Sequence, residues 1–242
     1  MGTPSQQLMA RHPLQRLSSP SRGFSAFVHT TGIISFTLSY KYLIEYPTMI
    51  NASYGWHWQY LTILGLTVAY ATFVFGLLAD LTLSPRLFFI KNTLSLCSAP
   101  LEVLISVLYW GISAIDKSLV VPPEIPISPM ADVGFHAMPS ILLVIDLLFL
   151  SPPWTIHALP AMGLSSGIAV GYWAWVEQCY RHNGFYPYPL FGVLDTTQRI
   201  FLFTAAAMTM TGSTMMLRWL YGRVNGLQGA EKRSTPNNIK GE

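Results

Sequence analysis

Apolar residues run along this chain in long blocks that neither alternate nor keep a narrow stripe, and polar residues gather between the blocks. About 20 apolar residues cross a hydrocarbon core of about 30 Å, and on that measure the pattern predicts six spans. Their limits are residues 24–44, 58–80, 92–115, 134–151, 157–179 and 197–221, the fourth being the shortest. Continuous rather than alternating apolarity selects helices over a barrel. The expected fold is therefore an all-α bundle of about six transmembrane helices. Residues 24–221 would form the bundle, 1–23 a disordered polar tail, and 222–242 a second polar tail. Gly163, Gly167 and Gly171 recur every four residues in the fifth segment, a spacing that lets helix backbones approach closely.

Composition agrees with a lipid solvent. Of the 242 residues 51% are hydrophobic and 10% charged, against roughly 25% charged in a soluble domain. Lys and Arg set the orientation, because positive charge is retained on the cytoplasmic side. An inside amino terminus assigns Arg11, Arg16, Arg22, Arg86, Lys91, Arg218, Arg223, Lys232, Arg233 and Lys240 to the cytoplasm, and leaves Lys41, Lys117, Arg181 and Arg199 outside. Both termini are then cytoplasmic and the span count even. The net charge of +3 records this bias, and no basic run points to nucleic acid. The first 23 residues loosely resemble a transit peptide, but Pro4, Pro13 and Pro20 interrupt any amphipathic helix there. Gly2 lacks the Ser or Thr at position 6 that myristoylation wants. Cys97 and Cys179 fall on different spans and opposite sides, which excludes a disulfide, and neither belongs to a metal-type spacing. Asn51, Ala52 and Ser53 form a glycosylation sequon close to the second span.

Candidate chemistry collects at the outer boundary. In "YGWHWQYLTILGL", Thr62 lies one turn into the second helix, roughly 6 Å below its end. Gly65, Ala69, Thr72 and Gly76 continue its face as a small-residue stripe, so Thr62 is expected to point into the bundle. A buried Thr also has a structural use, bonding its own backbone four residues back, and a hydroxyl nucleophile needs a base beside it. Among six His, His29 and His157 fall near cytoplasmic ends, while His57, His136 and His182 share the outer boundary with Thr62. His136 opens the fourth segment in "DVGFHAMPSILL", and an imidazole suits proton abstraction from a hydroxyl at neutral pH. The stretch "WAWVEQCYRHNGFYPYPLFGVLD" reads as a rigid interfacial lid or as an aromatic belt.

Other readings remain open at this level. Glu102 and Asp146 fall near mid-membrane with no Lys or Arg at their depth, which suits a polar pathway in a proton-coupled transporter. The chain lacks the internal repeat of many transporters. His57, His136 and His182, with Asp132 or Glu177, would suit a catalytic zinc if they converged. A lipid-binding protein without activity would carry the same apolar bundle.

The motifs "YGWHWQYLTILGL", "ADL", "LYWGISAIDKSLVVP", "GFHAMPSILLVID" and "GYWAWV" leading to "NGFYPYP" follow one another in an order that resembles the androgen-induced-gene (FAR-17a-like) family of multi-pass membrane proteins, over about residues 38–220. The resemblance is to a distant, fungal type of member. It implies a threonine hydrolase that splits fatty acid esters of hydroxy fatty acids. Thr62 would be the nucleophile and His136 the base, with no cofactor or metal. Partners would be the lipid ester substrate and membrane lipid. An endoplasmic reticulum or plasma membrane location would follow. The implied chemistry is acyl transfer to Thr62 and then hydrolysis, with backbone amides or the Trp58 indole N–H as candidate oxyanion donors.

Overall fold

The computed structural model describes residues 22–151 and 156–225; the first 21 residues and residues 226–242, where most of both polar tails falls, lie outside the described residues. The long helices are α1 (Arg22–Glu45), α2 (Leu61–Thr82), α3 (Pro85–Asp116), α6 (Ala158–Asn183) and α8 (Thr196–Asn225). Between them lie α4 (Pro129–His136) and α5 (Met138–Leu150), which together make the fourth segment, and the short α7 (Pro189–Val193). All six apolar blocks are thus helical, and no strand occurs among the described residues.

Four of these helical stretches are long and apolar enough to cross a membrane: Leu61–Thr82, Pro85–Leu119, Pro129–Leu150 and Thr196–Val224. The fourth block, the shortest of the six, is among them. α1 and α6 are long but carry more polar residues, including His29, Ser165 and Glu177.

Local chemistry explains the boundaries. Ser84 accepts the N–H of Leu87 and Pro85 occupies the first position of α3, so Leu83, left-handed at φ 56°, turns directly from α2 into α3. Ser128 accepts the N–H of Ala131 and Pro129 opens α4. The break between α4 and α5 falls at Ala137, at φ −125°, just before Met138 and Pro139. A proline has no N–H for the ladder and its ring crowds the carbonyl four residues back. His136 therefore closes α4 instead of opening the fourth helix.

α2 lies against α1 and α3, and α8 against α3 and α6. The main core of Phe36, Leu66, Ala69, Phe73, Leu143 and Leu147 sits between α1, α2 and α5. The small stripe of α2 faces the bundle interior as expected: Gly65, Ala69, Thr72 and Gly76 are buried, and a Cβ at Gly76 would strike the His29 ring. The glycines of α6 do not. Gly163, Gly167 and Gly171 are exposed with nothing near a built Cβ, because α6 packs through Ala161, Ser165, Tyr172, Val176 and Cys179.

The mid-membrane acids also differ from expectation. Asp146 pairs with Lys91 at 2.6 Å and with the His29 Nε2 at 3.0 Å, and His29 Nδ1 reaches Asp80 at 2.6 Å. Lys91 reaches this depth because it projects from the second turn of α3 into the bundle, where it is 1% exposed. Glu102 takes no part; it is fully buried against Gly65 and its oxygens have no partner among the described residues.

Candidate functional site

The stretch before α2 folds on itself before it docks. Gly55 at φ 82° and Trp56 at φ 49° are both left-handed, which turns the chain tightly into the 3-10 turn Trp56–Gln59. α6 pins this turn: the Trp175 indole donates to the Trp58 carbonyl at 2.9 Å, and Asn183 bonds both the N–H and the C=O of Tyr54. The residue four positions behind Thr62, Trp58, therefore lies in this turn, before the extended Tyr60 that caps α2, and not in the helical ladder.

Thr62 consequently differs from its neighbours. Thr67, Thr72 and Thr82 each donate to the carbonyl four residues back, whereas the Thr62 hydroxyl meets the Tyr188 hydroxyl at 3.3 Å. Thr62 is the second residue of α2 and 6% exposed. Helix N-termini leave their first N–H groups without intrahelical acceptors and carry partial positive charge. Two tyrosines serve here: Tyr172 accepts the N–H of Leu61 at 3.2 Å and Tyr188 that of Thr62 at 3.5 Å.

His136 is held from the opposite side. Its Nδ1 lies 3.0 Å from both the carbonyl and the Oδ1 of Asp132, one turn back on α4. Both partners are acceptors, so Nδ1 carries the proton and Nε2 is the basic nitrogen of the neutral ring. Asp132 is itself paired to Lys117 at 2.8 Å. The imidazole stacks flat on Tyr109, centroids 3.4 Å apart and 3° from parallel. The His136 carbonyl accepts from Ser106 at 2.5 Å.

Two cavities meet between these residues. The first, about 100 Å³, is apolar apart from Thr62 and the hydroxyls of Tyr109, Tyr172 and Tyr188, and runs between α3, α6 and α8. The second, about 90 Å³, is lined by His136, His57, Tyr60 and Thr48 and by the 120–127 connection. Thr62, Tyr109, Val120 and Tyr188 border both. Thr62 and His136 thus share one cavity, without a direct hydrogen bond between them among the described residues.

Other residues singled out in the sequence stand apart. His57 donates to Asn51 Oδ1 at 3.1 Å, and burial pulls its pKa down to about 4, so the ring is neutral at pH 7. Asn51 also accepts from the Thr48 N–H and donates to the Leu43 carbonyl, which commits the sequon's amide to local structure. His182 stacks on Tyr54 and bonds Gln178. The three outer His therefore do not converge, and among the described residues no three His, Cys, Asp or Glu side chains group as a metal site would. Trp58 is 50% exposed and borders neither cavity, which removes its indole as an oxyanion donor. Cys97 and Cys179 are free thiols.

Sequence reasoning missed Tyr188 and the use of Asp132. Tyr188 is placed by its loop: Gly184 ends α6 at φ 74°, Tyr186 donates to Glu177 at 3.0 Å, Arg199 bonds both Glu177 and Tyr186, and Pro189 opens α7. The Asp132–His136 spacing of one helical turn was a readable signal.

A family model described as FAR-17a/AIG1-like protein matches residues 24–222. A UPF0641 membrane protein of Schizosaccharomyces pombe is 34% identical over 206 residues, covering 84% of this chain and 92% of that protein. No solved structure matches. The aligned region contains Thr62, Asp132, His136 and Tyr188, and on the extent of both matches the chain belongs to the FAR-17a/AIG1-like family of membrane proteins.

Proposed function

We propose that this protein is an intramembrane lipid ester hydrolase in which Thr62 is the nucleophile and His136 the general base. Its substrates are fatty acid esters of hydroxy fatty acids or closely similar lipid esters. One observation carries the reading: Thr62 alone among the α2 threonines keeps its hydroxyl off its own backbone, and turns it to the junction of two cavities, one of which His136 lines. The helix N-terminus favours negative charge developing on the Thr62 oxygen.

The steps follow from these placements. His136 Nε2 takes the Thr62 proton as Oγ1 adds to the ester carbonyl, and the tetrahedral intermediate collapses when the departing alcohol oxygen receives that proton. Water then adds to the acyl-Thr62 ester, His136 takes its proton, and collapse releases the carboxylic acid and returns the proton to Oγ1. Asp132 keeps Nδ1–H oriented and offsets the charge of the transient imidazolium. The apolar cavity suits one acyl chain and the second cavity the other half of the ester and the entering water.

Incubation of the purified protein with a long-chain fluorophosphonate should label Thr62. Thr62→Ala and His136→Ala should each lower ester hydrolysis by at least about 10³-fold with expression retained; Thr62→Ser should keep more activity than Thr62→Ala. Full activity in Thr62→Ala would end the nucleophile assignment, and binding without turnover in the wild type would favour a lipid-binding role.

The six helical segments all cross the bilayer in this proposal, of the endoplasmic reticulum or plasma membrane. The charge count, nine to four once the buried Lys91 is set aside, supports cytoplasmic termini and an outward-facing Thr62 end. Cysteine reporters in the tails should react only from the cytoplasm and a reporter at Ser118 only from the other side. Tails labelled on opposite sides would exclude the even count.

A further inference from the structure

We infer that the backbone N–H of Thr62 and the hydroxyl of Tyr188 form the oxyanion pocket of this site, an assignment that rests on Thr62 being the nucleophile. Acyl transfer places negative charge on the former carbonyl oxygen, one bond from the carbon that Thr62 Oγ1 has joined. Donors for it must lie beside that Oγ1, be fixed in place, and have no stronger commitment elsewhere.

Tyr188 meets these conditions. Its hydroxyl lies 3.3 Å from Thr62 Oγ1 and 3.5 Å from the Thr62 nitrogen, with the Tyr172 hydroxyl and the Leu61 backbone as its looser neighbours. Burial raises the phenol above its ordinary value, so it stays a neutral O–H donor at pH 7. The neighbouring Tyr172 does not qualify, because its one proton is given to the Gln59 carbonyl at 3.0 Å. The Thr62 N–H has no intrahelical acceptor at this position and reaches Tyr188 only at the long limit of a hydrogen bond, so an oxyanion entering between them gains both donors. A second, independent feature points to an oxygen-bearing ligand at this junction. Tyr109 is 5% exposed, its hydroxyl makes only loose contacts, to Asp132 and Ser113, and it borders both cavities.

In the step itself, the Oγ1–C bond forms, the carbonyl π pair moves onto oxygen, and the Thr62 proton passes to His136. The oxyanion accepts from Thr62 N–H and Tyr188 O–H, and returns its pair to carbon when the alkoxide leaves with the His136 proton.

The test uses the full chain in nanodiscs with a medium-chain p-nitrophenyl ester. Tyr188→Phe should lower kcat by about 10²–10³-fold with KM changed little, and should weaken a long-chain trifluoromethyl ketone, which mimics the tetrahedral state, in the same proportion. Should Tyr188→Phe fail to fold, 3,5-difluorotyrosine at 188 nearly preserves size but ionises at much lower pH. Activity should then be lost as that phenol loses its proton. An unchanged kcat in folded Tyr188→Phe, or a flat pH profile in the difluorotyrosine protein, overturns the pocket. If Thr62→Ala is inactive in the same assay, the hydrolase reading survives that failure; if Thr62→Ala is active, both fall together.

Discussion

What distinguishes Thr62 from Thr67 and Thr72 is the residue four positions back. Thr67 and Thr72 find intrahelical carbonyls there, whereas the residue four back from Thr62 is Trp58, which lies in the 3-10 turn before α2 and outside the helical ladder. A backbone accident at one end of a helix thus leaves one hydroxyl available for chemistry. Asp132 acts on the same scale. It gives His136 a defined tautomer, and a ring held at Nδ1 presents Nε2 in one orientation. Asp132→Asn is expected to lower kcat by roughly 10²–10⁴-fold with KM within about threefold, and Asp132→Glu to recover part of the loss. Equal activity of Asp132→Asn and wild type would assign Asp132 to the Lys117 ion pair alone.

Between elements, the site depends on two interruptions. Proline chemistry at residue 139 divides the fourth segment at Ala137, which lets α4 and α5 take separate directions and puts His136 at the end of α4 beside Tyr109. The turn at Gly55 brings Thr62 beside Tyr188 of the 184–193 loop. A side chain at 55 would meet Cys179 Sγ at 2.9 Å, at a φ of 82° that L residues rarely adopt. Gly55→Ala should therefore destabilise the protein by about 1–3 kcal/mol, read as a lower melting temperature in detergent. A melting temperature equal to wild type would show that the turn relaxes without cost. His57 adds a pH dependence to the same turn. Its folded pKa of about 4 lies below the unfolded 6.5, so its contribution is complete above pH 6.5 and is lost as pH falls toward 4.

Across the whole molecule, polar chemistry occupies both ends of the bundle and differs in kind. At the Thr62 end, polar groups border cavities; at the other end, Lys91, Asp146, His29 and Asp80 are packed together and paired. Such a network joins α1, α2, α3 and α5, and breaking it strands a charge in a low dielectric. Lys91→Met should cost about 3–5 kcal/mol, and Lys91→Met with Asp146→Leu should recover much of that, since replacing a buried pair by apolar residues is often close to neutral. Equal melting temperatures for Lys91→Met and wild type would mean that Asp146 finds another partner.

The sequence by itself determined the helical class, the six apolar blocks and the inward stripe of α2, because hydropathy over 20 residues and small-residue spacing depend only on near neighbours along one helix; Thr62 and His136 were put forward as a pair by the family resemblance. Which side of α6 packs, where Lys91 reaches, and what holds His136 were decided by tertiary structure. Gly163, Gly167 and Gly171 have the spacing of a contact ridge, yet the face used is that of Tyr172 and Val176. Lys91 looked like a boundary charge until α3 extended to Pro85 and carried it inside. Tyr188 lies 126 residues from Thr62, and only the packing of the 184–193 loop over the start of α2 brings the two hydroxyls together. Contacts of that separation leave no periodic trace in a single chain, because each residue satisfies its local pattern equally well with or without its distant partner.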